Sequence, residues 1–188
     1  MVHHIPASEP EGTLATTHWW ISSPRSRLGW KPASQHWSEA KDGDFVAQRL
    51  FLGHYSNRPG RRIGQLILGP GEKMVLIEAE GRALFGWRKF IDDSGQSGVC
   101  CAVFRNLSPL RSSDLIAEAG EVAWRRWPGA RLYTYVDPRR VKSANPGCCF
   151  KMAGWRVCGR TKGGSPENER RFSPSFPPNL LPHCCHSP

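Results

Sequence analysis

The stretch Arg131-Leu-Tyr-Thr-Tyr-Val-Asp137-Pro-Arg-Arg-Val-Lys142-Ser-Ala-Asn145-Pro-Gly-Cys148-Cys-Phe-Lys-Met-Ala-Gly154-Trp-Arg-Val-Cys-Gly-Arg160 decides the fold. Leu132 to Val136 is β-branched and aromatic and is stopped by Asp137-Pro138, which predicts a strand ending on a carboxylate. Asn145-Pro146 supplies an N-cap and a helix-compatible first residue, and Cys149, Phe150 and Ala153 recur at helical spacing. Gly154 is placed to end that short helix. Trp155 to Gly159 then alternates as an exposed edge strand does. The order is strand, loop, short helix, strand.

Working back toward the N-terminus, Asp42-Gly43-Asp44 opens a helix from Phe45 to about Gly53, because Asp caps the first turn and complements its dipole. The helix ends in Gly53-His54-Tyr55-Ser56-Asn57-Arg58-Pro59, which groups a base, a phenol and a hydroxyl. Ile63 to Leu68 reads as a strand and Gly69-Pro70-Gly71 as a turn. Lys73–Ala79 and Arg82–Phe90 read as a hairpin through the two residues Glu80-Gly81. Asp92 to Gly95 reads as a loop. Gly98 to Phe104 is nearly continuously apolar, as a strand at the sheet centre would be, with Cys100 and Cys101 in the core. A helix to about Trp127 follows, capped by Ser and Asp of Ser112-Ser113-Asp114, with Leu115, Ile116, Ala119, Val122 and Ala123 on one face. Its start offers unpaired N–H groups and a positive dipole end, and Arg105 and Arg111 add charge, so it suits a pyrophosphate.

A chain of 188 residues fits one domain. The formal charge of +10, carried more by Arg than by Lys, favours a polyanion such as nucleic acid, the plainer alternative being solubility alone. Seven cysteines, six of them in vicinal pairs, and no signal peptide argue against a secreted disulfide framework and for a reduced cytoplasm. CxxC zinc spacing is absent, and no apolar run approaches the roughly 20 residues that span a bilayer. Residues 1–40 read as an irregular Trp-rich arm, 41–162 as the folded domain and 163–188 as a disordered Pro-rich tail. His3-His4 and His183-Cys184-Cys185-His186 lack a supporting shell for a metal.

The order of elements from Leu132 to Gly159 resembles the closing half of the GNAT acyltransferase fold. That resemblance implies an α+β domain with a mixed, mainly antiparallel central sheet flanked by helices. More narrowly, Tyr135-Val-Asp-Pro-Arg-Arg-Val-Lys-Ser-Ala-Asn-Pro-Gly-Cys-Cys-Phe-Lys-Met-Ala-Gly-Trp155, together with His54-Tyr55-Ser56 followed closely by Pro59, resembles the phage Mu-type Mom family of DNA modification proteins. Two points depart from these patterns. The GNAT phosphate loop Gln/Arg-x-x-Gly-x-Gly/Ala is missing, and Cys148 stands where Mom-like sequences carry Tyr.

The resemblance implies a phage- or prophage-encoded, cytoplasmic transferase. It would add a small acyl- or carbamoyl-type group to the N6 amine of adenine in double-stranded DNA and so protect it from restriction. Acetyl-CoA or a related acyl donor is the implied cofactor, and the family adds iron as an option. Adenine in a duplex is reached by flipping it out of the stack. In this reading Asp137, His54, Tyr55 and Ser143 are catalytic, and Arg105, Ser112, Ser113 and Asn145 hold the donor. Arg58, Arg61, Arg62, Arg139, Arg140 and Lys142 contact DNA. The alternatives are a conventional N-acetyltransferase acting on a small amine or protein, and a non-catalytic basic DNA-binding relative.

Overall fold

A computed structural model describes residues 28–57, 59–91, 95, 97–160 and 170–174. The readings made on His3-His4, Trp19-Trp20, Arg58, Asp92 to Ser94 and His183 to His186 lie outside the described residues.

Eight strands form one sheet. They are β1 (Lys31–Pro32), β2 (Trp37–Ala40), β3 (Glu72–Glu78), β4 (Ala83–Ile91), β5 (Ser97–Asn106), β6 (Leu132–Val136), β7 (Trp155–Arg160) and β8 (Arg170–Pro174), in the order β1-β2-β3-β4-β5-β6-β8-β7. Every neighbouring pair is antiparallel except β5–β6. The described helices are α1 (Phe45–Leu52), α2 (Ser112–Arg126) and α3 (Cys148–Met152). The expected α+β class with a mainly antiparallel sheet is what the chain adopts.

Period-two alternation builds the two sides of the sheet. Met74, Leu76, Phe85 and Trp87 point to the side packed by α2 and α3, while Val75, Ile77 and Leu84 point to the side packed by α1. Two indoles tie α2 down, Trp37 Nε1 donating to the Leu115 carbonyl at 2.9 Å and Trp87 Nε1 to that of Ala119 at 3.1 Å. Asp44 caps α1 as read from the sequence, accepting the Val46 and Ala47 amides at 2.9 and 3.1 Å. α2 lacks the expected Ser/Asp cap. Arg111 holds the N-cap position with no side-chain bond to the first turn, because Ser112 is drawn to Asn106 and Ser113 to Asp114.

Four further expectations are corrected. Ile63–Leu68 is not a strand, because Asp42 Oδ1 takes the Ile67 and Leu68 amides (2.7 and 3.3 Å) that a ladder would need. The β3–β4 connection spans Ala79 to Arg82 rather than two residues, and the buried Glu78 carboxylate accepts the Glu80 and Arg82 amides within it. α3 starts at Cys148 with Gly147 (φ 81°) at its N-cap, two residues past Asn145. The folded unit also exceeds 41–162. β1 and β2 bring in the end of the arm, with Trp30 and Trp37 buried, and β8 brings in part of the tail.

β8 sits inside the sheet, between β6 and β7, despite its Pro-rich surroundings. One residue explains this. Phe172 is fully buried, facing Thr134 on one side and Val157 on the other. Pro174 falls at the strand end, where a missing N–H costs least. β7 is the edge strand, as its alternation suggested.

Candidate functional site

β5 and β6 pair only from Val99↔Leu132 to Cys101↔Thr134, and Thr134 Oγ1 closes that ladder by donating to the Cys101 carbonyl at 2.9 Å. On the other side of β5 the register passes from Trp87↔Cys101 to Gly86↔Val103, so Ala102 is an extra residue, a β-bulge. A bulge bends its strand and disrupts local pairing. Beyond it β5 and β6 run on to Asn106 and Val136 without pairing to each other. A cavity of about 370 Å³ fills the gap, walled by Cys101 to Asn106 on one strand and Thr134 to Val136 on the other. Its remaining walls come from opposite sides of the sheet. Gly53-His54-Tyr55 stands at the α1 end, and Gly147, Cys149 and Phe150 of the α3 segment stand at the other. Clefts at the carboxyl ends of parallel strands are the usual ligand site of mixed sheets.

Arg105, Arg140 and Lys142 line this cavity, and no carboxylate does. His54 and Tyr55 thus share one cavity with Tyr135 and Val136 at the end of β6, while Ser56 and Asp137 stand outside its wall. The expected roles within it are redistributed.

His54 lies in the wall with its Nδ1 engaged. Nδ1 accepts the Ser56 amide at 3.2 Å and meets Ser56 Oγ at 2.8 Å, while the ring is hydrogen-bonded to the Phe104 backbone. Burial, with Arg105 and Arg140 nearby, lowers its pKa to about 4, so the imidazole is neutral at pH 7. It braces the α1 loop against β5. The unfolded imidazole takes its proton near pH 6.5 and the folded one only near pH 4, so between these values the unfolded chain binds more protons. Stability from this group is complete above pH 6.5 and falls away toward pH 4, by about 2 kcal/mol for a partly buried ring. Urea unfolding at pH 7 and pH 5 is expected to show this loss in the parent chain and a smaller one in His54→Gln.

Arg105 turns away from the donor role. Its Nη1 donates to the Leu50 carbonyl at 3.2 Å, capping the C-terminus of α1, and a Cβ on Gly53 would overlap it. A cation suits that end of a helix. Gly53→Ala is therefore expected to displace the guanidinium, to cost about 1 kcal/mol, and to raise the His54 pKa in an NMR titration.

Asp137 is buried but does not line the cavity. Its Oδ1 accepts the Arg139 amide at 3.0 Å and lies 3.5 Å from Arg139 Nε, while its carbonyl receives the Arg140 and Val141 amides. It shapes the turn that delivers Arg140 and Lys142 to the mouth. Ser143 and Asn145 are exposed outside the wall, with Ser143 Oγ accepting the Asn145 amide and Asn145 Oδ1 accepting Lys151 Nζ. Cys148 is likewise exposed and outside it. Ser112 reaches the rim through Asn106, whose Nδ2 donates to Ser112 Oγ at 3.1 Å and to the Leu110 carbonyl at 2.8 Å. Ser113 binds Asp114.

Tyr55 lies over the His54 ring at 4.3 Å and under the Arg140 guanidinium at 5.9 Å. Sequence reasoning passed over Tyr135, Asn106 and Cys149, which also form the wall. Alternation in β6 does place Tyr135 opposite the core face. Burial pushes the thiols of Cys101 and Cys149 up, so both stay protonated at neutral pH. Of the residues assigned to DNA, Arg62, Arg139, Arg140 and Lys142 are exposed, and Arg61 is bound to the Leu66 carbonyl.

The described residues assemble no cluster for the iron that the family resemblance implies. No group of three or more His, Cys, Asp or Glu that could hold a metal ion converges among them. No described helix is long and apolar enough to cross a membrane. No protein-family model, no curated protein and no solved structure matches the chain.

Proposed function

We propose that this chain is a transferase that holds an acyl donor in the β5–β6 cleft and passes a small acyl- or carbamoyl-type group to the N6 amine of adenine in DNA, as the Mom-like motifs imply. The observation that carries this reading is the parting of two parallel strands around a cavity that reaches both sides of the sheet. An extended, amide-bearing donor laid along the strand edge beyond the bulge gains backbone hydrogen bonds as an added strand does. Arg140 and Lys142, with no carboxylate in the wall, suit its phosphates. The acceptor then comes from the other side, and the two reactants meet where the strands part.

In the transfer, the N6 lone pair attacks the thioester carbonyl, the new N–C bond forms and the C–S bond breaks. The amine proton leaves with the departing thiolate. The wall offers no carboxylate base, so the good leaving group and the cations that steady negative charge carry the step. The DNA part is supported by charge as well as motif: residues 131–160 and 170–174 hold nine Lys and Arg against Asp137 alone.

Thiol release from acetyl-CoA, followed with a thiol reagent, tests the proposal. Release is expected to depend on duplex DNA and to fall at least about 10-fold in Arg140→Glu/Lys142→Glu. No release with any acceptor overturns the reading. Release with small amines and not with DNA replaces it by the conventional N-acetyltransferase.

A further inference from the structure

We propose that the loop from Pro59 to Leu66 is the element that enters the DNA, with Ile63 filling the space the adenine leaves when it is flipped; this rests on the DNA reading above. Ile63 and Leu66 are both 54% exposed. They stand on a stretch, Ser56 to Gly71, that contains three arginines and no carboxylate. Apolar side chains held in water among cations match a duplex, whose phosphates take the arginines and whose base stack takes the hydrocarbon.

The loop is braced rather than loose. Gln48 Nε2 donates to the Gln65 carbonyl at 3.0 Å, the Gly64 amide donates to Gln48 Oε1 at 2.8 Å, and Arg61 donates to the Leu66 carbonyl. Ile63 is the apex between these ties.

The loop also stands beside the cavity. The Arg61 guanidinium lies 5.0 Å from the Phe51 ring centre, Phe51 stacks on His54 at 6.4 Å, and His54 is in the cavity wall. Arg61 thus ties the loop that carries Ile63 to the α1 side of the cavity, the side from which a base would enter. Opening a stack leaves a gap whose apolar filling offsets part of the unstacking cost.

The test uses duplexes carrying 2-aminopurine opposite thymine in every nearest-neighbour context, with affinity read by anisotropy and base extrusion by 2-aminopurine fluorescence. The parent protein is expected to bind and to brighten the probe in at least one context. Ile63→Ser, a change at an exposed position that leaves the fold intact, is expected to bind within about 3-fold of the parent and to lose most of the brightening. Arg62→Ala is expected to weaken binding in all contexts alike and to lower the salt dependence by about one charge. Full brightening by Ile63→Ser overturns the wedge while leaving the DNA reading standing, and a parent that binds duplex without brightening any probe overturns both. A parent that binds no duplex overturns both. Binding to anionic vesicles in preference to duplex, with loss in Ile63→Ser, overturns the proposal in favour of a membrane surface.

Discussion

Phe172→Ala is expected to cost about 4 kcal/mol of folding free energy, the range for emptying a fully buried ring position. Phe172 is 0% exposed, stacks on Phe150 at 6.1 Å and packs against Gly147, so it joins β8 to the α3 segment that closes the cavity. The loss would therefore spread beyond one strand. Among the described residues β7 has β8 as its only strand partner, and Phe150 loses a ring it stacks on. Denaturant unfolding should show a lower midpoint, and acetyl-CoA binding should weaken in parallel. Phe172→Leu keeps most of the volume and is expected to cost only about 1.5 kcal/mol. A loss below about 1 kcal/mol for Phe172→Ala would mean that β8 lies outside the cooperative unit.

The same contact is expected to fail from its other side. Gly147→Ala should cost about 3 kcal/mol, from two sources. The residue sits at φ 81°, a conformation that costs a residue with a Cβ about 1–2 kcal/mol, and that Cβ would overlap the Phe172 ring. The ring is fully buried, so overpacking adds a similar amount. Paired with Phe172→Leu, the two changes should be less than additive, by about 1 kcal/mol, since the smaller side chain relieves the clash but not the backbone strain. Strict additivity, read from denaturation curves of the four proteins, would show that the overlap is not what makes Gly147 necessary.

This contact marks where the sequence stops being legible. Phe172 lies in a Pro- and Arg-rich stretch, and its value comes from Thr134 and Val157, its partners across the sheet and distant along the chain. Local signals were readable where the cause was local. Asp44 caps the helix it precedes, Met74 to Ile77 alternate between the two cores, and Trp155 to Gly159 form the edge strand β7. Ile63 to Leu68 misled because Asp42, distant in sequence, intercepts the amides of Ile67 and Leu68. At the candidate site the elements were legible and the aim of their side chains was not. His54 and the end of β6 do share a cavity, yet Arg105 points to Leu50, a direction set by backbones that approach only in the fold, and Asp137 turns to Arg139, two residues on. The bulge at Ala102 has no sequence mark, because it is defined against the facing strand.

Digestion of DNA from cells expressing the protein, followed by mass analysis of the nucleosides, tests the central proposal most directly. An extra adenosine species carrying a small acyl or carbamoyl mass is expected with the parent chain, and it should fade with Arg140→Glu/Lys142→Glu. A nucleoside profile identical to that of non-expressing cells, from soluble and folded protein, would contradict the account.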